Sequence, residues 1–153
     1  MKSRDKRYFE DFTPGEVLTL GTHSVTADEI IDYAKKWDPQ PRHTDPEAAK
    51  ESSFGGLVAS GAHIFAISVR LLVTQNPPVA VIAVVGCDKV RFTQAVRPGD
   101  VLTSYFECVE TRPSRTKADR GIVRNKVTLV NQNGEQALSY IDTILVFKRL
   151  AQM

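Results

Sequence analysis

The stretch SGAHIFAISVRLLVTQ, Ser60–Gln75, decides the fold. Ser60 is an N-cap residue type whose hydroxyl can accept a bare N–H of a first helical turn. After Gly61 the residues are apolar on nearly every helical face: Ala62, Ile64, Phe65, Ala66, Ile67, Val69, Leu71, Leu72 and Val73. A helix of that kind is buried on most of its circumference. Asn76-Pro77-Pro78 stops it, because proline cannot continue the ladder. Its most apolar part, Ile64 to Val73, carries Ser68 and Arg70 and is too short to cross a bilayer. The helix therefore needs cover from the rest of the chain.

Downstream the sequence is β-rich. Val79 to Val85 and Lys89 to Phe92 read as one strand or two, with a bulge at Gly86. Pro98-Gly99-Asp100 is a turn. Strands follow at Val101 to Thr111, Ile122 to Val130 and Gln136 to Phe147, and Asn133-Gly134 joins the last two as a hairpin. Upstream, Glu16 to Val25 is a strand entered through Pro14-Gly15. Thr26-Ala27-Asp28-Glu29 is a capping box opening a helix with a stripe at Ala27, Ile30, Ile31 and Ala34. That helix ends near Trp37, before Pro39 and Pro41. Asp45-Pro46 opens a short helix through Lys50. One buried helix with several long antiparallel strands predicts an α+β domain of hot-dog type, its sheet wrapped around that helix.

The chain has 153 residues, enough for one domain with a real core. No repeat or linker divides it. A net charge of +2 is too small to argue for nucleic acid or a membrane surface. Cys87 and Cys108 are far apart and lack metal-ligand spacing, so they read as reduced thiols of a cytoplasmic protein. The start, MKSRDKRYFEDF, is charged and lacks the apolar run of a secretory signal.

The chemistry concentrates in Asp38-Pro-Gln-Pro-Arg-His43-Thr-Asp45-Pro46. Two prolines stiffen this loop before any ligand arrives. Asp38 and His43 can converge there on one small object such as a water. Asp45 is accounted for by capping. The second feature, Phe54-Gly-Gly-Leu-Val-Ala-Ser-Gly61, leads into the long helix. Its bare N–H groups and positive dipole end can hold a developing oxyanion. The plain alternatives are an Asx-capped loop and glycines that only permit a turn. His63, on the buried helix, reads as a hydrogen-bonded core histidine. The cluster Arg112, Arg115, Lys117, Arg120 and Arg124 fits either phosphates or local pairs with Asp119 and Glu110.

Taken together, these two features resemble the MaoC-like dehydratases, which include the (R)-specific enoyl-CoA hydratases. The likeness begins at Tyr8-Phe-Glu-Asp-Phe12 and takes in Val96-Arg-Pro-Gly-Asp100, Arg112-Pro-Ser-Arg115 and Asp119-Arg-Gly121. It implies reversible hydration of a trans-2-enoyl thioester to the (R)-3-hydroxy product. It implies no metal and no cofactor beyond the coenzyme A of the substrate, and a homodimer or dimer of dimers with sites at the interface. Asp38 and His43 would then activate the water, with the Gly61 N–H as oxyanion donor. Arg42, Phe54, Gly56 and Ser60 would lie against the acyl-CoA. Two positions depart from the family pattern. Arg42 stands where relatives commonly have an apolar residue. Val69 stands, with Ser68 beside it, where some hydratases have a serine supporting the aspartate. Within the fold, a thioesterase and a non-catalytic acyl-CoA-binding protein are the alternatives. The Asp38/His43 spacing speaks against the first, and the presence of both side chains against the second.

Overall fold

The computed structural model describes residues 5–150; the first four residues of the charged N-terminal stretch lie outside it. Five strands form one antiparallel sheet: β1 (Val17–Ser24), β2 (Val81–Phe92), β3 (Val101–Pro113), β4 (Arg120–Val130) and β5 (Gln136–Phe147), in the order β1-β3-β4-β5-β2. Four helices lie between β1 and β2: α1 (Ala27–Trp37), α2 (Pro41–Thr44), α3 (Pro46–Lys50) and α4 (Gly61–Val73). All are predicted except α2, a single turn that Pro41 opens from the first helical position.

Alternation along the strands sets the core. Leu102, Phe106 and Cys108 of β3, Val123, Val127 and Leu129 of β4, and Leu138, Ile144 and Val146 of β5 point inward and are buried. Against them lies α4, through Ile64, Ile67 and Leu71. Leu71 reaches β1 beside Gly21, and Phe65 packs on Tyr140 of β5 with ring centroids 4.8 Å apart. The sheet thus curls around one long helix, the hot-dog arrangement that the pattern predicts. The expected burial of α4 on most of its circumference does not hold in one chain. Val69 and Val73 are exposed, the latter by 67%. Their face lines a cavity instead of touching the sheet.

The strand predicted in one or two pieces is one continuous β2. Its pairing with β5 slips between Val84 and Gly86, as expected, and again between Asp88 and Arg91. There Lys89 adopts a positive φ of 53°, the bent geometry of a bulge. Thr26 caps α1 by accepting from the Glu29 N–H. The Glu29 carboxylate does not return to complete a box but pairs with His23 at 2.8 Å.

The short 3-10 turn Phe9–Asp11 packs against β4 and explains a glycine. A Cβ on Gly121 would lie 2.3 Å from the Phe9 ring. No real contact is that short, so β4 needs glycine for the ring to lie flat against its backbone. Gly121→Ala should cost about 1–3 kcal/mol through overpacking. A thermal melt should then show Tm lower by roughly 3–10 °C. An unchanged Tm would mean that Phe9 does not pack there.

Candidate active site

The end of α1, the turn α2 and the start of α4 meet at one place. Asp38 is the C-cap residue of α1, its N–H held by the Ala34 carbonyl at 2.8 Å. Proline at positions 39 and 41 prevents α1 from running on and turns the chain into α2, which carries His43. His43 is 4% exposed. Its Nδ1 lies 2.6 Å from the Val58 carbonyl oxygen. A carbonyl only accepts, so Nδ1 carries the hydrogen and Nε2 of the neutral ring keeps its lone pair. Nε2 lies 3.7 Å from Asp38 Oδ2. That is too long for a direct hydrogen bond, and short enough for both atoms to hold one water at about 2.8 Å.

A relay fixes the aspartate. Gln40 donates from Nε2 to Asp38 Oδ1 at 2.7 Å and accepts from the Arg42 guanidinium at Oε1, 2.6 Å. Arg42 therefore lies along the site, oriented through Gln40. It forms no ion pair among the described residues.

Asp38, Arg42 and His43 line a cavity of about 380 Å³ together with Phe54, Val58, Gly61 and Phe92. Gly61 is the first residue of α4, where the Ser60 hydroxyl accepts the His63 N–H at 3.2 Å. Helix geometry leaves the Gly61 N–H with no intrahelical partner, and the dipole favours negative charge there. A Cβ at Gly61 would sit 3.2 Å from the Phe92 ring, so the backbone can approach that ring only without a side chain.

The structure brings together Asp38, Arg42, His43, Phe54 and Gly61 in one wall. Ser60 and Gly56, expected beside the substrate, are not on it. Ser60 is 1% exposed and spent as the helix cap. Gly56 faces Arg97, whose Nη2 donates to the Phe54 carbonyl at 2.6 Å. Sequence reasoning missed Gln40, Phe92 and Arg97. Their partners lie up to dozens of residues away or turn on a side-chain rotamer, and only the Val96–Asp100 motif hinted at Arg97. His63 is buried as expected, stacked on Tyr33 with centroids 4.6 Å apart and 3.5 Å from Glu29. Burial holds its pKa below the usual histidine value. Asp45 caps α3 by accepting from the Glu47 and Ala48 N–H groups. In the basic cluster, Arg120 pairs with Asp119 at 2.8 Å and Arg124 with Glu110 at 3.4 Å. Among the described residues no group of three or more His, Cys, Asp or Glu side chains could hold a metal, and no helix is long and apolar enough to span a membrane.

An antiparallel sheet wrapped on one long helix defines a hot-dog domain, and here Asp38 and His43 meet near the start of that helix. A family model for the MaoC-like domain matches residues 11–131. The chain belongs to the MaoC-like dehydratase family. It is similar to the MaoC-like dehydratase of Rhodospirillum rubrum, with 37% identity and a TM-score of 0.88, covering 95% of this chain and 99% of that one. It is 31% identical to the Bacillus subtilis protein YdeM over 124 residues, 80% of this chain and 86% of that one. The (R)-hydratase PhaJ1 of Pseudomonas aeruginosa shares the fold, with a TM-score of 0.75 at 24% identity over 95% of this chain and 92% of that one.

Proposed function

We propose that the protein is a hydro-lyase that reversibly hydrates a trans-2-enoyl thioester, as an enoyl-CoA, to the (R)-3-hydroxyacyl thioester. The observation that carries this is the 3.7 Å gap between His43 Nε2 and Asp38 Oδ2, with the histidine tautomer fixed by Val58. The gap suits a water held by two acceptors. In hydration the pair takes one proton from that water as its oxygen bonds to Cβ. The π electrons move onto the thioester oxygen, where the Gly61 N–H and the α4 dipole stabilise the enolate. The pair then returns a proton to Cα, so that one water has been added. Arg42, which forms no ion pair among the described residues, serves an anionic part of the substrate. A screen of trans-2-enoyl-CoA thioesters, following loss of the conjugated absorbance, tests the reading. Turnover of at least one thioester is expected; none across the series would defeat it.

The Gln40 relay gives a finer prediction. Gln40→Leu removes a bond to a charged oxygen, worth about 1.5 kcal/mol. The expected result is kcat lower by roughly tenfold with KM little changed. Equal kcat in initial-rate measurements would show that Asp38 needs no such support.

The protein acts, on this reading, as a homodimer. β2 is a twelve-residue strand at the sheet edge, and Val84 and Val85 on it are 61% and 56% exposed. A long apolar edge invites pairing with another chain. Light scattering of an active preparation at micromolar concentration should give twice the mass of one chain. The mass of one chain would rule the dimer out.

A further inference from the structure

α4 and β2 line the catalytic cavity at one end, through Gly61, Ile64 and Phe92. Farther along the same two elements bound a second cavity of about 390 Å³. Its walls are apolar, with Phe65, Val69 and Leu72 on α4 and Val81 and Val84 on β2. The levels of Gly61 and Val69 are about 12 Å apart along the helix. Asp142 and Tyr140 of β5, with Cys87 of β2, are the polar or ionisable residues lining it beside these walls and Gln75.

Asp142 is the anomaly. It occupies an inward slot of β5 between Tyr140 and Ile144, where every consideration of packing calls for an apolar side chain. It is 5% exposed. Asn125 on β4 donates to its Oδ1 at 3.0 Å, and no Lys, Arg or His forms an ion pair with it among the described residues. Behind it, Asn125 Oδ1 is buried with no partner. Tyr140 is already committed to Ser68, with oxygens 2.6 Å apart. The Asp142 carboxylate thus takes its hydrogen bonds from Asn125 alone, and from no cation, among the described residues. Unpaired buried polar groups are costly, and a group that supplies a donor recovers that cost.

We propose that this second cavity holds the far end of the acyl chain and that Asp142 there selects a substrate whose tail carries a hydroxyl. The inference rests on the hydratase reading and adds a substrate class to it. An alcohol donates to the Asp142 carboxylate while the methylenes before it lie on Phe65, Val69 and Leu72. A plain methyl terminus leaves the carboxylate desolvated, with Asn125 still its partner and no further donor. A carboxylated tail is rejected by like charge. The 12 Å separation suits chains of roughly eight to twelve carbons.

The test compares two trans-2-enoyl-CoA thioesters of about ten carbons, one ending in a hydroxyl and one in a methyl group. The wild-type chain is expected to favour the hydroxylated thioester in kcat/KM by roughly tenfold, one hydrogen bond's worth. Asp142→Leu should abolish or invert that ratio, and Asp142→Asn, which keeps an acceptor oxygen, should retain most of it. Equal wild-type values, or a ratio unchanged in Asp142→Leu, overturn the proposal. If the leucine variant does not fold, the wild-type ratio decides. Short crotonyl-CoA, with no tail to reach the second cavity, tests the hydratase reading separately in the wild type. Were no thioester turned over, calorimetric titration of the two saturated acyl-CoAs would still read the selection: tenfold tighter binding of the hydroxylated one supports it, and equal binding removes it.

Discussion

His43→Gln and Asp38→Asn are each expected to lower kcat on the best enoyl thioester by roughly 100- to 10,000-fold, the usual consequence of losing a general acid or base. His43 is the sharper test. Its Nδ1–H is committed to Val58, so all of its chemistry passes through Nε2. Glutamine can present only an amide to the water. Asp38→Asn replaces one acceptor of the water by a donor that competes for the same lone pairs. Since both groups act on one molecule, the double variant should be little slower than the worse single one. Additive losses, multiplying to a far larger effect, would mean that the residues serve separate steps. Near-normal turnover by either single variant would remove that residue from the chemistry. Folding is checked by circular dichroism, because His43 is buried and its bond to Val58 ties α2 to the approach to α4.

Asp142→Asn is expected to stabilise the protein at pH 8 by about 1–3 kcal/mol and to change it little near pH 4. Burial pushes the Asp142 carboxyl up to about 6 from its ordinary 3.8, against the lowering effect of the Asn125 hydrogen bond. Below the ordinary value both folded and unfolded chains hold the proton and no penalty exists. Between about 4 and 6 the folded chain keeps a proton that the unfolded chain has released, so stability falls as pH rises. Above 6 the folded chain carries a buried charge and the penalty is constant. Asparagine has no charge to bury and can still accept the Asn125 N–H. Paired melts should show a Tm gain of roughly 3–10 °C at pH 8 that vanishes near pH 4. A gain independent of pH would mean that the carboxyl does not titrate in this window. The residue that weakens the fold is thus the one proposed to read the substrate.

Much of this molecule is legible in its sequence, for physical reasons that differ by element. α4 announces itself by its Ser60 cap and apolar run, and the β4–β5 hairpin by Asn133-Gly134. Asp38 and His43 stand five apart in a loop whose prolines leave few conformations, so their convergence needs no long-range information. What escaped depends on partners distant in the chain. β5 reads plainly as a strand, but which slot of the sheet receives Asp142, and that Asn125 stands opposite it, follow only from the β4–β5 register. The Phe9 ring against Gly121 joins residues over a hundred positions apart. α4 is half-exposed against expectation because apolar character all round a helix does not distinguish packing against a sheet from lining a cavity. Glu29 was expected to close a capping box, but two histidines from β1 and α4 compete for its carboxylate and hold it below the usual carboxylate value despite its partial burial.

The central claim is that water adds to carbon in this site and not to the thioester carbonyl. Turnover of crotonyl-CoA, or another accepted enoyl-CoA, in ¹⁸O-labelled water with mass analysis of the products tests it most directly. The account predicts an intact thioester with the label on the C3 hydroxyl, and the (R) configuration at that carbon. Release of free coenzyme A with the label in a carboxylate would contradict it and make the protein a thioesterase.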